Sequence, residues 1–285
     1  MSGDQHAVTA LSIDVEDWFQ VSNLAAVVPR ETWGERELRV ERNTDRMLEL
    51  LDEADARSTC FVLGWVAERL PSLVRRIAEA GHEIGSHGFG HQPIPELSER
   101  EFHADVRRSK ELLEELSGAP VRGYRAPSFS ITDWSIPILQ ELGFAYDSSL
   151  YPTIAHDRYG KLSGATAGTP VIELRAGFHE VCISSLPVGP LPLPWGGGGY
   201  FRLLPYAVFR RGIKRIVRME RPYVFYIHPW EIDPGQPRVE GLSRLARLRH
   251  YAGLENAEAR LRDLLTEFRW TRIDRLLAEA SPVAC

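Results

Sequence analysis

Sulfur is scarce in this chain, with three cysteines and three methionines among 285 residues. Cys60, Cys182 and Cys285 are odd in number and far apart, which excludes both a disulfide framework and a cysteine metal box. Cys60 lies in an apolar run and reads as a small core residue. A chain without structural disulfides suits a reducing compartment, so a cytoplasmic location is expected. Long apolar runs are also missing. No stretch reaches the roughly 18 residues of a membrane-spanning helix. Met1 to Ala10 has neither a basic start nor an apolar run, so no secretory leader is expected. Positive charge is not in excess: 34 Lys and Arg against 39 Asp and Glu leave a net −5. That balance argues against nucleic acid or an anionic membrane as the main partner. Internal repeats are absent. What remains is an ordinary globular composition, 44% hydrophobic and 26% charged, with ample core.

Strand-like and helix-like segments alternate along the chain. Val8–Asp14, Ser58–Leu63, Glu83–Ser86, Val121–Tyr124, Phe144–Asp147 and Pro222–Ile227 read as strands. Asn43–Ala54, Val66–Ala80, the segment opened by the Ser98/Glu101 capping box, and Asp133–Leu142 read as helices. Such alternation implies a parallel sheet or barrel, whose chemistry sits at the carboxyl ends of the strands. Asp14, His87, Arg125, Asp147 and His228 all stand at those ends. Gly160–Thr169 reads as a loop. Leu186–Tyr200 is too rich in Pro and Gly for a helix or a central strand. It is either a flexible connector or a loop that offers Trp195 and Tyr200 to a sugar ring. Leu242–Leu277 reads as mainly amphipathic helix.

The segment His87-Gly-Phe-Gly-His91 follows the third strand. Two imidazoles four apart can point the same way from one helical turn, and imidazole is the commonest ligand for zinc-like metals. Asp14-Val-Glu16-Asp17-Trp closes the first strand with three carboxylates. Arg125-Ala-Pro-Ser-Phe129 follows the fourth, and His228-Pro-Trp230-Glu231 ends the late strand. Each residue also has a plainer reading. Asp14 and Asp17 could be solvated at a strand end, and His228 could be a core histidine. Glu231 could be exposed or could orient His228. Asp147 could form a turn or raise the pKa of His228.

The ordered set resembles the polysaccharide deacetylase family, also called the NodB-homology or carbohydrate esterase 4 family. The resemblance covers about residues 8–232. Asp-Val-Glu-Asp-Trp-Phe, Tyr-Arg-Ala-Pro-Ser-Phe and Ile-His-Pro-Trp-Glu look like the branch found in exopolysaccharide loci associated with exosortase systems. The resemblance implies an α/β fold: a distorted parallel (β/α) barrel over residues 8–232, with residues 233–285 as a helical extension packed on it. It implies a divalent metal, zinc foremost, and removal of N-acetyl groups from a glycan. It assigns Asp14 as general base, His87 and His91 as metal ligands, Arg125 as partner of the base, and His228 as general acid. One departure stands out. Val15 occupies the place where the family puts its metal aspartate, and a divergent Asp-x-Asp pattern would make Glu16 the third ligand. Alternation along an extended chain puts Asp14 and Glu16 on one side; a turn after Asp14 would bring in Asp17 instead.

The chemistry fits these residue types. Two imidazoles and one carboxylate leave a metal open positions for water and a carbonyl oxygen. A base and an acid on opposite sides of the scissile amide give a bell-shaped pH profile. Trp195, Tyr200 and Trp230 favour an N-acetylated glycan or its precursor as substrate. An allantoinase-like amidohydrolase acting on a small cyclic amide is the alternative. An inactive glycan-binding protein is a third reading, against which the intact set of residues argues.

Overall fold

The computed structural model describes residues 7–151, 159–165, 169–188, 191–279 and 283–284. The first strand, β1 (Thr9–Val15), is buried at every position. Such a strand needs cover on both faces, and a parallel sheet under helices gives it. Next come β2 (Thr59–Val62), β3 (Glu83–Ser86), β4 (Gly123–Tyr124), β5 (Tyr146–Asp147), β6 (Val171–Arg175) and β7 (Phe178–Val181). An antiparallel pair, β8 (Ser185–Val188) and β9 (Leu191–Pro194), stands apart from the main sheet. β10 (Tyr223–Ile227), β11 (Trp270–Thr271) and β12 (Val283–Ala284) complete the series. The main sheet runs β10-β1-β2-β3-β4-β5-β7-β6-β12. All its pairings are parallel except β6 with β7. The result is a mixed α/β fold with a curled, mostly parallel half-barrel.

Register decides where the chemistry gathers. Ile13 lies opposite Ile227, Val15 opposite Val62, and Val62 opposite Ser86. Ser86 lies opposite Tyr124, and Tyr124 opposite Asp147. The residues that follow these positions therefore line one edge of the sheet: Glu16, His87, Arg125, Ser148 and His228.

The sequence pattern is corrected in four places. Val66–Ala80 is two helices, Gly64–Arg69 and Pro71–Glu79. Leu70 precedes a proline and leaves the helical region at φ −128°, ψ 59°. Leu242–Leu277 contains the helices Arg244–Tyr251 and Ala257–Glu267, and then β11, which pairs with β1. The C-terminal segment thus adds a strand to the sheet as well as helices beside it. The Gly-rich end of Leu186–Tyr200 enters a helix, Gly198–Leu203. Finally, His87–His91 is not a helical turn. It is a bend with Gly88 and His91 in the left-handed region, at φ 70° and 58°. Within Gly160–Thr169, residues 166–168 lie outside the described residues, as does Cys285.

Candidate functional site

Asp14 sits near the end of β1 with its carboxylate almost fully buried. Oδ1 accepts a hydrogen bond from Nη1 of Arg125 at 2.6 Å. Arg125 is itself fixed. Its guanidinium donates to Ser12 Oγ, Ser148 Oγ and the Ser148 carbonyl, each at 2.8 Å, and lies over the Phe61 ring. A buried arginine with every guanidinium nitrogen bonded holds its carboxylate in one orientation.

The chain turns immediately after Asp14, where the Glu16 N–H donates to the Asp14 carbonyl at 3.0 Å. This turn delivers Glu16 to the same cavity while Val15 stays in the core. Glu16 Oε2 lies 2.7 Å from Nε2 of His91 and 3.9 Å from Nε2 of His87. The possible ligand atoms of Glu16, His87 and His91 all lie within 4.8 Å of one another. Burial would push the Glu16 carboxyl up, but His91, His228 and His87 outweigh it and hold it at about 2. Burial pulls His87 down to about 4.

Three observations fit a metal here. Glu16 Oε2 is enclosed, and it faces the Nε2 atoms of His91 and His87. His87 Nδ1 lies 2.8 Å from the Arg125 carbonyl, which fixes the proton on Nδ1 and frees the Nε2 lone pair. The donor set is two imidazoles and one carboxylate, which suits zinc and its neighbours. The bend itself is held by Asp105, whose carboxylate accepts from the N–H groups of Phe89 and Gly90 at 2.7 and 3.0 Å.

Asp17 goes elsewhere. Its carboxylate accepts from the N–H groups of Trp18, Arg39 and Val40 at 2.8, 2.7 and 3.0 Å. It holds the start of the helix Val40–Glu53 and lies outside the Glu16–His87–His91 cluster, which corrects its expected place as rival ligand.

His228 follows β10. Its Nδ1 lies 2.8 Å from Glu231 Oε1, and Glu231 Oε2 accepts from Arg202 Nε at 2.7 Å. Burial alone would lower the imidazole; the Glu231 hydrogen bond and the Glu16 charge outweigh it and raise it to about 9. Asp147 does not serve this purpose. It accepts from the N–H and hydroxyl of Ser149, and it lies against Glu180, whose own buried carboxyl is pushed up chiefly by burial and then by Asp147.

Asp14, Glu16, His87, His91, His228 and Glu231 line one cavity of about 290 Å³. Its other walls include Phe129, Tyr151, Tyr159, Tyr200, Tyr226, Trp230 and Arg249. Tyr200 lines the cavity and is exposed. Trp195 does not reach the cavity. It stacks on Phe209 at 5.7 Å and donates its indole N–H to the Phe209 carbonyl, so it is a core residue. Trp230 reaches the cavity but is stacked on His228 and His250, at 5.3 and 4.5 Å, and so supports the imidazole more than it lies open. The Gly run finds its reason here as well. A Cβ on Gly198 would overlap the Glu231 carboxylate, and one on Gly212 would overlap the Trp195 ring.

Sequence reasoning missed Asp105, Arg202 and Arg249. They lie 15, 29 and 47 residues from the partners that give them meaning, Gly90, Glu231 and Arg202. No local pattern marks them.

Comparison with known proteins adds the family. Residues 34–146 match the model of the family described as Polysaccharide deacetylase, and residues 148–278 match a Domain of unknown function (DUF3473). A peptidoglycan-N-acetylglucosamine deacetylase of Bacillus cereus is 28% identical over 120 residues, covering 37% of this chain and 44% of that protein. A peptidoglycan deacetylase of Helicobacter pylori is 30% identical over 105 residues, covering 37% of this chain and 36% of that protein. The chain thus spans less than half the length of these two relatives. A crystal structure from Mycobacterium smegmatis, provisionally assigned as a polysaccharide deacetylase, superposes with a TM-score of 0.63. It is 20% identical and covers 99% of this chain and 94% of its own; at that identity it shows the fold alone. Among the described residues no helix is long and apolar enough to cross a membrane. Over residues 34–146 the chain is thus similar to the polysaccharide deacetylase family, and its two curated relatives named above carry deacetylase names.

Proposed function

We propose that this chain is a metal-dependent hydrolase that removes N-acetyl groups from a polysaccharide or its precursor, in exopolysaccharide biosynthesis. One observation carries the reading. A metal-ligand cluster (Glu16, His87, His91), an arginine-locked carboxylate (Asp14) and a carboxylate-paired imidazole (His228) face one aromatic-walled cavity.

A metal held by Glu16, His87 and His91 would supply Lewis acidity toward the amide carbonyl. The chain's own residues supply the proton traffic. Asp14, oriented by Arg125, takes the proton of the attacking water. His228, kept protonated by Glu231, gives a proton to the departing amine, without which an amide is a poor leaving group. Arg202 anchors Glu231 in turn. The aromatic rim, Tyr200 included, presents apolar faces to a sugar ring. Zinc is the metal proposed, and the native one follows from metal analysis of the purified protein.

The exopolysaccharide branch rests on the motif resemblance at Asp14–Phe19, Tyr124–Phe129 and Ile227–Glu231. The proposal includes a cytoplasmic location, tested by cell fractionation. The decisive experiment is acetate release from N-acetylglucosamine oligomers by zinc-loaded and chelated protein. Release that needs the metal is expected. No release from any N-acetylated glycan, with the metal stoichiometrically bound, would leave a glycan-binding protein on the same fold.

A further inference from the structure

The net charge of −5 conceals a surface of the opposite sign. The helix Arg244–Tyr251 has the sequence Arg-Leu-Ala-Arg-Leu-Arg-His-Tyr, with three arginines and no carboxylate. Its inner face is tied down. His250 and Tyr251 are buried, His250 Nε2 lies 2.8 Å from Gln236 Oε1, and the Tyr251 hydroxyl donates to the Pro237 carbonyl. Arg202 donates to the carbonyls of Arg249 and His250 at 2.9 and 3.2 Å. The outer face is apolar and cationic at once. Leu245 and Leu248, three apart and so on one side, are 56% and 57% exposed, the two highest values among the large hydrophobic side chains of the described residues. Arg244 borders them on one side, with Arg247 beyond it, and Arg249 borders them on the other; Arg244 and Arg247 are exposed. None of Arg244, Arg247 and Arg249 pairs with a carboxylate among the described residues.

This face continues into the cavity mouth. Arg249, on the same helix, lines the cavity together with Tyr200 and Leu203, which are themselves exposed. Exposed leucines rimmed by unpaired arginines match one environment by charge and by polarity: the headgroup region of an anionic bilayer.

We infer that this face, Arg244, Leu245, Arg247 and Leu248 with the rim residues Tyr200 and Leu203, docks the protein on an anionic membrane surface with the cavity mouth beside the lipid. The leucines enter the headgroup layer and the arginines pair with lipid phosphates. A glycan carried on a lipid anchor would then meet the cavity without leaving the membrane. That consequence rests on the proposed deacetylase reading; the docking does not.

Flotation of the full chain with vesicles tests it. The wild-type protein should float with phosphatidylcholine vesicles containing phosphatidylglycerol, should not float with phosphatidylcholine alone, and should dissociate as salt is raised. Arg244→Gln with Arg247→Gln should weaken binding on the order of 25-fold, at about fivefold per cation. Leu245→Ser with Leu248→Ser should weaken it at unchanged net charge. All four side chains are exposed, so melting temperatures should match wild type. The inference is overturned if the wild-type protein stays unbound on anionic vesicles at low salt, or if the glutamine variant floats as well as wild type. It is overturned equally if sedimentation shows a dimer that the serine variant dissolves, which would assign the face to a second copy of the chain.

Discussion

Asp14 and Glu16, separated by a core valine, send their carboxylates to the same imidazole: Nε2 of His228 lies 3.8 Å from Asp14 Oδ2 and 3.3 Å from Glu16 Oε1. The two acids nonetheless keep different company. Asp14 is claimed by Arg125, and Glu16 faces the two histidines. Position in the fold, not residue type, separates a proton acceptor from a metal ligand in the proposed mechanism.

Glu16→Gln and Asp17→Asn should therefore fail in opposite ways. Glu16→Gln removes the anionic member of the cluster and should lose metal well beyond the roughly 10–100-fold typical of a change behind the ligands. Asp17→Asn should keep its metal and lower stability by about 1–2 kcal/mol, because its carboxylate serves the first N–H groups of a helix. Metal stoichiometry and denaturation of the two purified variants check this. Loss of metal from Asp17→Asn alone would reverse the assignment.

Asp14→Asn keeps the shape of the side chain and its contact with Arg125 while removing the proton acceptor. Folding and metal content should be unchanged, and turnover should fall by about 10²–10⁴-fold. Near-wild-type turnover in a folded, metal-loaded Asp14→Asn protein would move the base to another carboxylate.

The pH profile reports on Glu231. His228 is raised to about 9 because Glu231 and Glu16 favour its charged form over the cost of burial. An acid must carry its proton, so activity should be lost as pH rises through that range. In Glu231→Gln the alkaline limb should move toward the ordinary histidine value of about 6.5. Gly198→Ala should do the same without touching either residue, since its methyl would occupy the place of the Glu231 carboxylate. An unmoved limb in both variants would detach Glu231 from His228. Metal content, measured in parallel, separates this effect from damage to the cluster.

The residues at the ends of β1 and β10 were legible because these strands are apolar runs that stop at a polar residue, Glu16 and His228. The two-residue strands β4 and β5 carry no period, yet Arg125 could still be found by its neighbours Ala126 and Pro127. What sequence could not resolve depends on turns and on distant contacts. The choice between Glu16 and Asp17 depends on the turn at Asp14 and on the distant N–H groups of Arg39 and Val40 that claim Asp17. Trp195 has the composition of a sugar platform, but the missing Cβ of Gly212 makes room for it inside. The Gly-rich run reads as a linker until Glu231 is seen against Gly198.

A last prediction concerns stability away from the site. His82 is buried, and its Nδ1 accepts the Ser58 backbone N–H at 3.1 Å, so protonation of that nitrogen would break the bond. Burial, helped by Arg57 and Arg272, holds the imidazole down at about 4. A base whose folded pKa is depressed binds fewer protons folded than unfolded, so stability falls as pH drops below the unfolded value of about 6.5 and levels off near the folded one. Between roughly pH 7 and pH 5 the group should cost about 2 kcal/mol of folding free energy. His82→Asn keeps a polar side chain that cannot titrate there. It should start less stable at neutral pH and lose about 2 kcal/mol less than wild type over that interval. Urea denaturation of both proteins at the two pH values measures the difference. Equal losses would mean that His82 already titrates normally in the folded chain.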